Sequence, residues 1–249
     1  MISLFESPTH KNIFFNDLST GHMLQANQHV IVNNNEGMIL DPGGHKVHTK
    51  LFGLLSNMMK ANELKHIFFS HQDPDIVAAM NGWLMVTDAQ AYLPGLWTRF
   101  VVHFGIDEAV FGRITPIPDE GMSLPLGGAL LKFLPAHYLH SCGNIQVYDP
   151  VSKILYSGDL GASLGNEYAM VENFETHLQY IEPFHKRYMP HSKALKMWVK
   201  MARKLDIDIL APQHGSIYPN KAMVSKFLDW AENFSCGVEL MGDEYKVPA

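Results

Sequence analysis

The stretch Ile67-Phe68-Phe69-Ser70-His71-Gln72-Asp73-Pro74-Asp75-Ile76 governs how the rest of the chain is read. Ile67 to Phe69 is an apolar run of the kind that forms a buried strand, and it stops abruptly. An imidazole and two carboxylates follow at alternate positions, His71, Asp73 and Asp75, as a helical pattern begins. In a tight strand-to-helix turn these three side chains can converge, and mixed nitrogen and oxygen donors at one point suit a metal. The same residues also make a helix start, with Asp73 as N-cap and Pro74 at the first helical position. This segment alone leaves both readings open.

Composition narrows the field. The 249 residues suffice for one large domain or two small ones, and 47% apolar content supplies a substantial core. A net charge of −6 gives no basic footprint for nucleic acid. Two cysteines, Cys142 and Cys236, make no disulfide framework. The start, Met1 to Glu6, lacks the basic and apolar regions of a signal peptide. No apolar run nears the roughly 20 residues of a membrane span. A cytoplasmic protein without membrane insertion is therefore expected. The unusual count is 14 histidines, several beside Asp, Gly or Pro at expected strand ends.

Strands are expected over Lys11 to Leu18, Gln28 to Asn33 and Gly37 to Asp41, the last two forming a hairpin. An amphipathic helix carries Val47, Leu51, Leu54, Leu55 and Met58. The strand Leu64 to Ser70 leads into a helix with Ile76, Val77, Met80, Leu84 and Met85. Ala89 to Leu93 is a short strand, and Leu96 to Phe104 is helical with Gly105 just past its end. In the second half, strands are expected over Arg113 to Pro118, Ser123 to Leu126, Ala129 to Leu134, Asn144 to Tyr148 and Lys153 to Tyr156. Helices follow over Val171 to Tyr188 and Ser192 to Leu205, then a strand Ile207 to Leu210 and a helix Asn220 to Phe234. Each half gives strands first, then helices with single strands between them. That order predicts an α+β fold, a four-layer αβ/βα sandwich, as a single domain over 1–249.

Polar residues that interrupt strand ends carry the functional information. His140 follows the strand ending near Pro135, Asp159 sits in Ser157-Gly158-Asp159-Leu160-Gly161, and His214 sits in Pro212-Gln213-His214-Gly215. Any one of them is more often a hydrogen-bonded loop residue than a ligand. Together with His71, Asp73 and Asp75 they put three imidazoles and three carboxylates at four strand ends, where loops position functional groups. Zinc favours tetrahedral His and Cys donors, whereas mixed imidazole and carboxylate sites with open positions suit iron and oxygen chemistry.

The order of these residues resembles the metallo-β-lactamase superfamily, whose hallmark is His-x-His-x-Asp-His followed by His, Asp and His on later strand ends. An acidic Asp73 at the third motif position, Leu-His-Ser-x-Gly-Asn and Ser-Gly-Asp-Leu-Gly are similar to its di-iron branch. That branch comprises the flavodiiron proteins and stand-alone oxygen-binding relatives. The resemblance implies the metallo-β-lactamase fold and two iron ions with an oxo or hydroxo bridge, zinc or manganese being alternative occupants. One metal would take His71, Asp73 and His140, the other Asp75 and His214, with Asp159 bridging. Asp73 stands where the branch usually has Glu, and Ile76 replaces the final motif His, leaving the second metal an open position.

Flavodiiron enzymes carry a flavodoxin domain, and none is expected within this chain. The resemblance thus implies an oxygen sensor, or a partner-dependent reductase of O2 or NO. Its partner would be a chemotaxis receptor or an electron-transfer protein, and a homodimer is compatible with it. The competing class is a dinuclear hydrolase of a phosphoester or thioester, with metal-bound water as nucleophile. A scaffold used only for protein binding accounts poorly for six intact donors. His137 and His45 are candidates for the surround of the site. Cys142 is expected to be a buried small residue, and His177, His185 and His191 to lie on the helix surface.

Overall fold

The computed structural model describes residues 1–16 and 18–248. In it the chain alternates between strand runs and helix-strand units, as the patterning predicts. A seven-stranded sheet runs in sequential order through β1 (Ile2–Glu6), β2 (His10–Phe15), β3 (Gln28–Asn33), β4 (Glu36–Leu40), β5 (Leu64–Phe68), β6 (Gln90–Pro94) and β7 (Ile114–Ile117). Its first four strands pair antiparallel and its last four parallel, so the sheet is mixed. The five-stranded second sheet joins β8 (Met122–Leu126), β9 (Ala129–Pro135), β10 (Ile145–Asp149) and β11 (Ile154–Gly158) antiparallel. A last strand, β12 (Ile209–Pro212), pairs parallel with β11.

Alternation along the strands builds the layers. Successive side chains point to opposite faces of a sheet. Val30, Ile39 and Ile67 face an outer core with the helices of the first half, while Ile31, Met38, Leu40 and Phe68 face the second sheet. There they meet Leu131, Phe133, Val147 and Tyr156 in an inter-sheet core. A third core packs the far side of the second sheet, through Tyr148, Leu155 and Leu210, against α6 (Phe174–Tyr188), α7 (Ser192–Ala202) and α8 (Lys221–Asn233). Three apolar cores separating two sheets and two helical layers are the expected four-layer sandwich. No helix among the described residues is long and apolar enough to cross a membrane.

Several boundaries differ from expectation. The strand expected over 11–18 ends at Phe15, and position 17 lies outside the described residues. The single helix expected after Asp75 is two, α2 (Pro74–Val77) and α3 (Met80–Val86), and the helix over 96–104 is short 3-10 turns around α4 (Thr98–Val101). Gly105 closes that segment in the left-handed conformation (φ +79°), as its place past the end predicts. Strand β1 and the four-residue α5 (Glu108–Phe111) had no periodic signal.

Away from the strand ends that carry the clustered ligand candidates, the sheets are tied by a buried polar clamp. His10 Nε2 lies 2.6 Å from Asp149 Oδ2, and Asn12 donates to the same oxygen (2.8 Å) and to the Tyr156 hydroxyl (2.8 Å). Burial lowers the His10 pKa, but the Asp149 carboxylate, with side-chain hydrogen bonding to Asn33 and Asn12, more than offsets it, and the net direction is upward.

His29 is a different case. It is buried between the sheets, stacked on Phe14, with Nε2 directed at the Pro212 carbonyl and Nδ1 unpaired. Burial pushes its pKa down to about 4. The unfolded chain takes up this proton near the ordinary histidine value while the folded chain refuses it until about pH 4. Its contribution is therefore present at neutral pH and lost as pH falls from about 6.5 toward 4. Denaturant titrations of the wild type and His29→Gln should show the wild type losing up to roughly 3 kcal/mol more than the variant across that window. Parallel pH profiles would show that His29 is not held neutral.

Candidate metal centre

Parallel pairing brings the strand ends together. β4 with β5, and β11 with β12, each run in the same direction, so the residues after them emerge at the same edge of their sheets. His71 follows β5, Asp159 follows β11 directly, His214 follows β12 by two residues, and His140 follows β9. The Ile145 amide donates to the Ser70 carbonyl (3.1 Å) and joins the two sheets at this edge.

Ligand atoms of His71, Asp73, His140 and Asp159 all lie within 4.8 Å of one another. His140 Nε2 is 2.9 Å from Asp159 Oδ2 and 3.3 Å from Asp73 Oδ2, and His71 Nε2 is 3.7 and 3.6 Å from the same two oxygens. On the other side His214 Nε2 lies 3.3 Å from Asp75 Oδ2 and 3.6 Å from Asp159 Oδ1. Asp159 thus turns one oxygen to His71 and His140 and the other to His214.

Asp73 reconciles the two readings of the opening motif. It occupies the N-cap position of α2, with Pro74 opening the helix, but its side chain makes no capping hydrogen bond. Oδ1 instead accepts from Gln72 Nε2 (2.8 Å), and Oδ2 faces the imidazoles. Gln72 in turn accepts from the Ser141 hydroxyl (2.7 Å), tying Asp73 to the loop that carries His140.

Two of the three imidazoles are fixed from behind. His214 Nδ1 is 2.6 Å from the Gln25 carbonyl, an acceptor, so a ring hydrogen sits on Nδ1 and Nε2 is turned toward the carboxylate oxygens. His71 Nδ1 meets the Ser70 hydroxyl at 2.9 Å, and the Ser70 amide donates to Asp41 Oδ1 (2.7 Å). Burial pushes the Asp41 carboxyl up to about 6. Gly215 (φ +76°) lets the chain after His214 pass so close to Ser163 that a Cβ would collide with its hydroxyl.

Electrostatics show what the cluster favours. Burial raises the Asp159 pKa, but His71, His214 and His140 more than offset this and bring it down to about 2. Burial lowers that of His140, yet Asp159 and Asp73 drive it up to about 10. Protons on His140 and His71 would balance the ionised Asp159 and Asp73 carboxylates. His71 Nε2 and Asp159 Oδ1 are buried and have no hydrogen-bond partner. Orphaned donor atoms converging between ionised carboxylates fit metal cations, which would displace the imidazole protons.

Residues 24–215 match the family described as ODP family beta lactamase. The chain belongs to this family. A solved structure of a peroxy di-iron species of the chemotaxis sensor ODP is 38% identical, with a TM-score of 0.86 over 96% of this chain and 97% of that one. The apo state of the chemotaxis sensor ODP from T. denticola gives the same identity and score, covering 96% of each chain. A point mutant of the flavo di-iron protein from Thermotoga maritima is 19% identical, with a TM-score of 0.77 over 93% of this chain and 60% of its own, a likeness of fold. An uncharacterised protein of Methanocaldococcus jannaschii is 22% identical over 211 residues, and the chain spans 52% of its length. The metallo-β-lactamase fold expected from the motifs is thus the fold of this ODP-family chain.

Other candidates fall elsewhere. Ile76 is fully buried in the core between the first sheet and its helices. His137 hydrogen-bonds the Asp119 carbonyl (2.8 Å) rather than any of the six clustered residues, and His45 is exposed at the start of α1 (His45–Ser56). Cys142 is exposed, not buried. His177 and His185 are buried, against the expectation of surface positions, because they share the inward stripe of α6 with Phe174, Ile181 and Phe184. His185 Nε2 accepts from the Gly161 amide (3.0 Å) and so steadies the turn after Asp159. His191 is exposed, as expected.

Gln72 is the contact that sequence reasoning missed and that bears most directly on the cluster. Gln72→Ala frees Asp73 Oδ1 and cuts the tie to Ser141. Metal affinity, measured by competition with a chromophoric chelator, should fall by about 10–100-fold, the usual cost of losing such a support. Unchanged affinity in both Gln72→Ala and Ser141→Ala would show that the bond does not position Asp73.

Proposed function

We propose that this chain is a non-haem di-iron protein that binds O2 and serves as an oxygen sensor. His71, Asp73 and His140 would hold one iron, Asp75 and His214 the other, with Asp159 between them. The observation that carries the reading is the two-sided placement of Asp159, whose Oδ2 faces two imidazoles and whose Oδ1 faces a third. The 38% identity to the chemotaxis sensor ODP across nearly the whole chain supports it. When bound, ferrous ions would supply open coordination positions and electrons for an oxygen ligand.

The chain's own residues prepare that chemistry. Ser70 and the Gln25 carbonyl fix the rings of His71 and His214, and Gln72 holds Asp73 so that one oxygen is free for the cluster. The His71, His214 and Asp159 side chains are at most 4% exposed, whereas those of Asp73 and Asp75 are 32% and 38% exposed. The cluster therefore opens on its carboxylate side, where a diatomic such as O2 or NO enters. Ile76 adds no donor beside Asp75, so the second half has only Asp75, His214 and the shared Asp159.

A sensor passes its state on by contact. On the strength of the ODP relative, the partner we propose is a chemotaxis receptor. Turnover of O2 or NO would instead draw electrons from a separate electron-transfer protein.

The test is metal content with optical spectra. Protein expressed in iron-replete medium should carry about two irons per chain, and air exposure of the reduced form should produce a visible charge-transfer band. Asp159→Ala should lose both ions, His71→Ala mainly the first and His214→Ala mainly the second. Stoichiometric zinc with no spectral change on air exposure would contradict the di-iron reading and favour the hydrolase.

A further inference from the structure

None of the six clustered residues lines a cavity of about 640 Å³, although the loop that forms one of its walls leads directly into His140. One wall is the strand-end loop with Tyr138 and Leu139; the other is α7 with Met197, Trp198 and Met201. The volume falls within the range of small-molecule sites, roughly 300–1,000 Å³. Two of its apolar walls are left to solvent, Tyr138 at 55% and Met197 at 65% exposed. Exposed apolar surface gathered in a concavity marks a binding site more often than scattered surface residues do.

Two polar lining residues stand where α7 begins, and a third, His137, lies on the loop wall. Lys193 belongs to the lining and forms no ion pair among the described residues. His191, also in the lining, accepts from the Lys193 amide at Nδ1 (3.1 Å), so the neutral ring carries its hydrogen on Nε2. The nearest carboxylate, Glu239, is 3.5 Å from His191 but is already engaged by the Ser192 amide (2.9 Å) and hydroxyl (2.6 Å). An ammonium and an imidazole N–H beside an apolar hollow complement one anionic head on an apolar tail.

We propose that this cavity binds a single-headed amphipathic carboxylate, its chain against Trp198, Met197 and Met201 and its head at Lys193 and His191. A cationic amphiphile of equal length would face the Lys193 ammonium and is excluded by repulsion. A neutral one would gain the apolar contact without the charge-assisted bonds.

Calorimetric titration of the full chain with decanoate, below its micelle concentration, tests this. It is run on metal-free and iron-loaded protein alike, so failure of the di-iron reading leaves the result interpretable. Saturable uptake of one decanoate per chain is expected, with no uptake of decyltrimethylammonium. Lys193→Glu should weaken binding by on the order of tenfold or more, and Met197→Asp should do the same. Both substitutions are at exposed positions, and an unchanged melting temperature certifies the fold. No saturable binding, equal binding of the cationic amphiphile, or wild-type binding in both variants would overturn the proposal. Occupation of the hollow by the exposed segment after Leu240, or by a second copy, would show as the first of these outcomes.

Discussion

The clustered ligand candidates depend on one carboxylate facing two ways. Asp159 stands directly after β11, nearly buried, with one oxygen toward His71 and His140 and the other toward His214. A buried carboxylate stays ionised only if positive charge or hydrogen-bond donors compensate it. Here compensation comes from three imidazoles on three different loops. Parallel pairing of β11 with β12 delivers Asp159 and His214 to one edge, and the inter-sheet core sets β5 opposite them. The fold thus acts as a spacer that fixes how far apart the donors stand.

The two sides of Asp159 are built differently. On the first side, the Asp41, Ser70 and His71 chain and the Asp73, Gln72 and Ser141 chain each run through short hydrogen bonds from scaffold to donor atom. On the second, His214 is held by the Gln25 carbonyl at 2.6 Å, but Asp75 has only a 3.5 Å contact from Gln213. Asp75 is also the most exposed of the six. Fewer donors and looser support make the second side the adaptable one, and adaptability there suits a site that takes up and releases a small ligand.

Much of this was legible in the sequence because the relevant signals are local. Apolar runs cut short by His or Asp identify strand ends, and all six donors interrupt such runs or follow them closely. The layers follow from alternation, as at Val30 and Ile31 or Ile67 and Phe68, which face different cores. Strand β1 was missed because its half-buried edge position leaves no clean pattern, and α5 because four residues cannot show a period. The supports of the donors were illegible for another reason. Gln25 and His214 are 189 residues apart, and nothing in either residue's neighbourhood announces the contact. Asp41 reads as the last residue of the strand from Gly37, and Gln72 as a spacer. His177 and His185 could have been placed correctly, since the spacing Phe174, His177, Ile181, Phe184 is a helical stripe.

Under the proposed reading, Asp159 would separate two iron positions, one on each of its oxygens. Anomalous diffraction from crystals of the iron-loaded protein, measured on either side of the iron absorption edge, tests it most directly. The account predicts two iron peaks flanking the Asp159 carboxylate, one beside His71, Asp73 and His140 and the other beside Asp75 and His214. A single peak, or peaks that persist unchanged below the iron edge, would contradict it.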